Sequence, residues 1–410
     1  MEEHERIKGF REEDWTAWDI RGDGRNASEL WIGETACFLE RRTVPRMMDI
    51  PMAAGWGLMA GPMMGPLVMK LRNDIHSHHV WAGNRDGSTD TAEMSTRVEW
   101  LLEYMSVSGV QRMALSGLYK WDGGGPTLER PFQFEELDDT VEQAAVDYPD
   151  AFIPFVRGFP LSDAYMSTEE MVEYIQGKLE DDGFRGIGEV IARGHGDDCT
   201  DVERLKAICD VAIAFNTTHT EYSVPVLFHW DLGAVDAGGS SIDTNWDDFQ
   251  ELLDHVAASG FNVNIILGHC GTGPGGASLA GEELLTYLEK LDHMLDTYPR
   301  LYFDIAGMCH VPSYDLYDPL GPTDLGSAIA ERIRTWPDRF ILGFDVENYN
   351  STEYIDPAME RYTGDIVFYE MFREECGATR GGDLERWNAK RVFEPFTFSL
   401  GVPPESDPKV

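Results

Sequence analysis

The chain has 410 residues, 42% of them hydrophobic and 11% aromatic, which allows a large buried core and excludes a disordered protein. Its 33 Lys and Arg stand against 73 Asp and Glu, a formal net charge of −40. A field of that sign excludes nucleic acid and anionic membrane surfaces as partners, because both need basic patches. The same carboxylates repel one another in dilute buffer and are screened at molar salt, where the Debye length falls to roughly 3 Å. Only eight of the basic residues are Lys. Together these features predict a protein of a salt-rich cytoplasm.

Residues 1–30 are polar and charged, so no signal peptide is expected there. Arg41 and Arg42 precede the apolar stretch Pro51–Met69, but that stretch is broken by Gly and Pro and is too short for a spanning helix. Residues 1–70 are read as an N-terminal extension covering the domain that follows. Six cysteines, at 37, 199, 209, 270, 309 and 376, form no C-x-x-C pair, which fits a reducing compartment and argues against a zinc ribbon.

From residue 71 onward, short β-rich runs alternate with helical periodicity. The predicted strands are Leu71–His78, Gln111–Ser116, Ala151–Arg157, Gly186–Ala192, Pro225–Trp230, Asn262–His269, Leu301–Ala306 and Arg339–Asp345. Their starts lie about 34 to 40 residues apart, the length that a strand, a crossover helix and two loops require. Runs such as VNIILG (Val263–Gly268) and FILGF (Phe340–Phe344) are apolar throughout, as expected of parallel strands buried on both faces. Between them, Val98, Leu101, Leu102 and Met105 follow a helical stripe, as do Phe249, Leu252, Leu253 and Val256. Ser167 with Glu170, and Thr200 with Glu203, have capping-box spacing. Eight such units predict a (β/α)8 barrel over 71–350. A doubly wound sheet is disfavoured because no G-x-G-x-x-G follows the first strand. Helical patterns at 352–376 and 383–393 predict a C-terminal cap within 351–410.

Catalytic groups of such barrels sit at the C-terminal ends of the strands. Strand 1 ends Asp74-Ile75-His76-Ser77-His78-His79, and alternation puts His76 and His78 on one face, with Asp74 expected to share it. Strand 5 ends at His229, strand 6 at His269 and strand 8 at Asp345. Imidazole nitrogens with a carboxylate suit Zn²⁺, with Mn²⁺ or Fe²⁺ as substitutes. Singly, His229 could be a core histidine and Asp345 a helix cap; four such residues at strand ends are hard to assign to packing.

The segments NDIHSHH, VLFHWD, IILGHCG, FILGFD and WNAKRVFEPF resemble the amidohydrolase superfamily, and more closely its amidohydrolase-related branch of metal-dependent hydrolases and decarboxylases. The resemblance spans roughly residues 71–395. It implies His76, His78 and His229 as ligands, Asp345 as ligand and general base, and His269 as a substrate-polarising or proton-transferring residue. Strand 4, Gly186-Ile187-Gly188-Glu189-Val190, lacks the lysine of the two-ion members, which favours one ion; Glu189 as a bridging carboxylate keeps two ions open.

In the mechanism this predicts, the ion acidifies a bound water and Asp345 accepts its proton. Asp74 is expected either to orient a ligand from behind or to be a buried structural acid. Arg157 after strand 3 and Arg193 after strand 4 are candidate anchors for a substrate carboxylate, or structural ion pairs. Trp230 and Trp81 either line the pocket or pack, and His79, His195 and His310 are loop candidates. Gly271–Gly276 lacks the Lys-Ser/Thr of a phosphate-binding loop and reads as a loop at the mouth.

The expected activity is hydrolysis of a small amide, lactone or ester. Non-oxidative decarboxylation by the same residues is the alternative, and a non-catalytic metal- or ligand-binding barrel is the third reading. The expected partner is a small-molecule substrate; assembly into homo-oligomers stays open.

Overall fold

Strands form at all eight predicted places in the computed structural model, which describes residues 72–81, 91–119, 133–163, 165–193, 201–232, 242–272, 279–308, 316–318, 321–347, 369–377, 384 and 388–394. They are β1 (Arg72–Trp81), β2 (Val110–Tyr119), β3 (Phe152–Val156), β4 (Gly186–Arg193), β5 (Val226–Trp230), β6 (Ile265–Leu267) and β7 (Leu301–Asp304). A small antiparallel pair follows, β8 (Tyr317–Asp318) with β9 (Gly321–Pro322). The eighth barrel strand comes in two pieces, β10 (Phe340–Ile341) and β11 (Val346–Glu347). The crossover helices are α1 (Thr91–Ser108), α2 (Gln133–Asp147), α3 (Thr168–Glu180), α4 (Val202–Thr218), α5 (Ile242–Ala258), α6 (Gly281–Thr297) and α7 (Asp324–Thr335), with a short α8 (Asn388–Arg391) near the end. The expectations for residues 1–70 and for the helical pattern at 352–368 lie outside the described residues.

Every neighbouring pair in the main sheet is parallel, in the order β10-β7-β6-β5-β4-β3-β2-β1-β11. Because β10 pairs with β7 and β11 pairs with β1, the segment joining them closes the ring. The amide of Ile75 donates to Leu342 O (3.1 Å), so β1 is tied to the middle of that segment as well. The protein is a (β/α)8 barrel.

Strand composition explains the architecture. All five residues of β5 and all four of β7 are buried, as a parallel strand covered on both faces requires. Helices present an apolar stripe to the sheet: in α3, Met171, Ile175 and Leu179 are buried at i, i+4 and i+8. Each contributes about 1.5–3 kcal/mol on leaving water. The predicted capping box is present, with Ser167 Oγ accepting from Glu170 N and Glu170 Oε2 accepting from Ser167 N (2.9 Å). The second predicted box is corrected. The N-cap of α4 is Asp201, whose Oδ1 accepts from the amides of Glu203 and Arg204; a carboxylate fills that position as well as a hydroxyl and adds charge at the helix start.

The late WNAKRVF segment ties together the starts of strands. Asn388 Nδ2 donates to Pro337 O and Phe340 O, Leu342 N donates to Leu384 O, and Val392 O accepts from Ser223 Oγ and Asn264 Nδ2. The bonds of Asn388 and Val392 lie at the entry to β10, β5 and β6, the end of the barrel opposite the predicted site. Among the described residues, no helix is long and apolar enough to cross a membrane.

Candidate metal centre

Three strands bring the central groups together. Glu189 on β4, His229 on β5 and His269 after β6 are all buried, and their ligand atoms lie within 4.8 Å of one another. Glu189 Oε1 is 2.8 Å from His229 Nδ1 and 3.3 Å from His269 Nε2.

Local structure explains each placement. Between Ile187 and Val190, β4 has one residue more than β5 opposite it, a bulge at Gly188–Glu189. A Cβ on Gly188 would lie 2.3 Å from Leu227 O, so glycine lets the two strands approach there and brings Glu189 onto His229. His269 is set differently from the prediction. β6 ends at Leu267, and Gly268–Gly271 form a 3-10 turn in which His269 (φ 51°) and Cys270 (φ 52°) are left-handed. Asp304, at the end of β7, holds that turn: its Oδ1 accepts from His269 N (2.9 Å) and Ala306 N (3.0 Å). The ring is fixed by Nδ1 against Ala306 O at 2.7 Å.

That last contact decides what the site can hold. A carbonyl only accepts, so His269 Nδ1 carries a hydrogen, and in the neutral ring it is Nε2, facing the Glu189 carboxylate, that has the lone pair a metal ion takes. Two electron-rich atoms facing each other need a cation or a proton between them. His229 is bracketed by acids on both sides, with Nδ1 at Glu189 and Nε2 3.3 Å from Asp231 Oδ1. Burial opposes its charged form, but the two carboxylates outweigh burial and raise its pKa to about 10. Ligand atoms about 2.0–2.1 Å from a tetrahedral ion are about 3.4 Å apart, close to the spacing around Glu189 Oε1. Two imidazoles and a carboxylate therefore fit a divalent transition metal by spacing and by donor type.

The strand-8 carboxylate borders this cluster. Asp345 is half-buried and left-handed (φ 52°). A Cβ on Gly307 (φ 69°) would stand 3.0 Å from His269 Nδ1 and 3.3 Å from Asp345 Oδ2, so both groups flank one small cradle that only glycine leaves open. His76 and His78 lie on β1, and their side chains are outside the described residues, as are those of His79, Trp81 and Arg193. His195, His310 and residues 273–278 of the glycine-rich run are outside them entirely.

Two expectations are corrected. Trp230 is fully buried and turned away from the mouth; its Nε1 donates to Asn245 O (3.0 Å) and its ring packs on Phe249, both in α5. Alternation along β5 requires this, since His229 faces inward. Asp74 does not stay in phase with the next residues of β1: it pairs with Met113 while Ser77 pairs with Leu115, a bulge of one residue at Ile75–His76. Asp74 accordingly meets Ser77, whose Oγ donates to its Oδ2 at 2.6 Å.

Arg157 lies at the end of β3, half-buried, with Nη1 donating to Phe159 O (3.0 Å). Burial lowers its pKa against the pull of Glu189 and Asp138. Asp138 of α2 holds the turn beneath it, accepting from Arg157 N (2.9 Å), Gly158 N (2.8 Å) and Tyr174 OH (2.8 Å). Asp138, Asp304 and Gly307 were not singled out from the sequence. For Asp304 the signal was available, because it ends an apolar strand just as Asp345 does.

Comparison with solved structures places the fold. 4-Oxalomesaconate hydratase from Rhodopseudomonas palustris matches with a TM-score of 0.52 at 14% identity, covering 78% of this chain and 95% of that one. 2,6-Dihydroxybenzoate decarboxylase from Rhizobium gives 0.46 at 19% identity (79% and 98% covered), and an amidohydrolase from Burkholderia multivorans gives 0.47 at 14% (79% and 99%). No protein-family model matches the sequence, and no curated protein matches it. The chain thus shares the fold of the hydratase. That likeness is one of fold.

Proposed function

We propose that this protein is a metal-dependent hydrolase acting on a small amide, lactone or ester. The observation that carries the reading is the buried Glu189–His229–His269 constellation, in which one carboxylate oxygen faces two imidazole nitrogens at the C-terminal ends of adjoining strands. The sequence resemblance adds His76, His78 and Asp345 to the set. Glu189 would hold a single ion with His229 and His269, and metal analysis would tell one ion from two.

A bound divalent ion, Zn²⁺ ahead of Mn²⁺ or Fe²⁺, supplies Lewis acidity and lowers the pKa of water. The chain supplies the rest. Asp345 accepts the proton of the attacking water at its carboxylate and returns it to the leaving group. His269 is held by Nδ1 against Ala306 O, so its Nε2 faces Glu189 in a fixed direction, which suits a metal ligand better than the substrate-polarising role expected of it. Arg157 gives a carboxylate-bearing substrate a charged anchor near Glu189. That anchor serves decarboxylation equally well, so the second reading is a non-oxidative decarboxylase. The net charge supports work in a salt-rich cytoplasm.

The test is metal analysis of protein purified in molar salt without chelator, followed by a screen of lactones, amides, esters and carboxylated aromatics with CO₂ followed in parallel. Bound transition metal and ring opening or amide cleavage support the proposal. Release of CO₂ without hydrolysis selects the decarboxylase, and metal bound with no turnover selects a binding barrel. Folded protein that takes up no transition metal removes both enzymatic readings and leaves only a ligand-binding barrel.

A further inference from the structure

We infer that Asp74 and Ser77 are positioning residues that set the direction of the Asp345 carboxylate by accepting from the amides of its two neighbours, Phe344 and Val346. The inference rests on the proposed role of Asp345 in a metal-bearing site, and it concerns how that role is made possible.

Strand 8 loses its regular ladder between Ile341 and Val346. In a parallel strand the amides of alternate residues point to the same neighbour, so Phe344 N and Val346 N would both meet β1 carbonyls. Here β1 side chains take hydrogen bonds from both amides, while Val346 keeps its place opposite Ser77 in the β1 ladder. Phe344 N donates to Asp74 Oδ1 at 3.1 Å and Val346 N to Ser77 Oγ at 3.3 Å. Ser77 Oγ in turn donates to Asp74 Oδ2 at 2.6 Å, so the two acceptors are locked together. Both are 2% exposed, which keeps water from competing for these bonds.

Asp345 is the residue between the two clamped amides, and its φ of 52° is one that L-residues adopt only under constraint. Side-chain acceptors reach farther than a backbone carbonyl, which opens a gap in the seam where residue 345 can turn over. The bulge at Ile75–His76 makes the clamp possible, because residues 74 and 77 of an unbroken strand would point to opposite faces. The turned residue carries its Oδ2 to the Gly307 cradle beside His269. A clamp serving only to close the barrel would have no need to leave residue 345 left-handed and facing the site.

The test uses Co²⁺ as probe on the full-length chain, with affinity from chelator competition and coordination from the visible spectrum. Ser77→Ala and the isosteric Asp74→Asn are compared with Asp345→Asn and with Ser223→Ala. Ser223 is a matched control: it is buried at the opposite end of the barrel, donating to Val392 O and accepting from Asn264. We expect Ser77→Ala and Asp74→Asn to weaken Co²⁺ binding about 10-fold or more and to change the spectrum in the direction of Asp345→Asn. Ser223→Ala should lower the melting temperature comparably and leave both readouts alone, and Ser77→Thr, which keeps the hydroxyl, should bind as the wild type. Clamp variants that lose stability yet bind Co²⁺ like Ser223→Ala overturn the inference. Should Ser77→Ala fail to fold, Asp74→Asn decides the question alone. Wild-type protein that binds no Co²⁺, or Asp345→Asn that binds it unchanged, overturns the site reading itself, a result recognisable without touching the clamp.

Discussion

Gly307→Ala tests whether His269 and Asp345 act as one unit, and its two effects can be separated. The residue has φ 69°, so any L side chain adds a backbone cost of about 1–2 kcal/mol. Its Cβ would lie 3.0 Å from His269 Nδ1 and 3.3 Å from His269 Cε1 and Asp345 Oδ2, against about 3.5–4.0 Å for a relaxed contact. Both side chains must retreat by several tenths of an ångström. His269 cannot do so freely, because Nδ1 is tied to Ala306 O and its amide to Asp304. The melting temperature should fall by a few degrees, and transition-metal affinity by about 10-fold, the scale of disturbing a group that orients ligands. Gly307→Asn separates the terms: asparagine tolerates the left-handed region, so stability should recover in part, while the same Cβ keeps the affinity loss. Thermal unfolding with and without metal, together with chelator competition, reads both. Wild-type affinity in both variants would refute the idea that one cradle sets the two groups.

Four further outcomes follow from the same structure. Glu189→Gln should cost at least about 10-fold in metal affinity, measured by competition, because the oxygen facing both histidines loses its charge. Trp230→Phe should lower stability by about 1–3 kcal/mol in urea unfolding, by removing a buried hydrogen bond and part of a buried ring, and should leave metal binding unchanged; a large loss of binding would restore Trp230 to the site. Burial pushes the Asp138 carboxyl up to about 6 despite its three hydrogen-bond donors. Folding thus favours its protonated form, and the stabilisation, present in full below about pH 4, is lost as pH rises through 6. That is worth about 3 kcal/mol, and the difference in unfolding free energy between wild type and Asp138→Asn should vary by that amount across the window; a constant difference would show that Asp138 titrates normally. Removing salt should lower the melting temperature steadily, given the net charge of −40, and a curve flat from molar salt to dilute buffer would rule out the salt-rich setting.

The barrel was legible because its signals are repeated. Eight apolar runs at a regular interval overdetermine the topology, so a strand mistaken by two residues at either end changes nothing. The site was legible only in part, because each of its groups departs from the regularity that made the barrel readable. His269 was read as the last residue of a strand but sits in a left-handed turn. Asp74 was phased by simple alternation, and a bulge of one residue broke the phase. Trp230 was left open between lining the pocket and packing, although alternation from His229 alone gives packing. Glu189 was read as a substitute for a missing lysine, yet a bulge beside Gly188 makes it the group on which two histidines converge. Bulges and left-handed residues have no strong single-sequence signature, since they depend on the neighbouring strand.

Those departures are concentrated. Among the described residues, four non-glycine residues have positive φ, and three of them, His269, Cys270 and Asp345, belong to or adjoin the candidate site. Each costs about 1–2 kcal/mol, which a barrel needing only to fold would avoid. Each is also held by hydrogen bonds from a neighbouring strand. Asp304 of β7 takes the amide of His269, Asp304 O accepts from Cys270 Sγ, and Asp74 with Ser77 of β1 take the amides flanking Asp345. The same arrangement turns a histidine and a carboxylate toward Gly307 from opposite sides. Strain placed there and restrained from β1 and β7 argues for a site whose groups must not move on binding. It also predicts where tolerance ends: substitutions at Asp74, Ser77 and Asp304 should disturb metal binding more than their loss of stability explains. Buried residues at the other end of the barrel, such as Ser223 and Asn388, should show only the loss of stability.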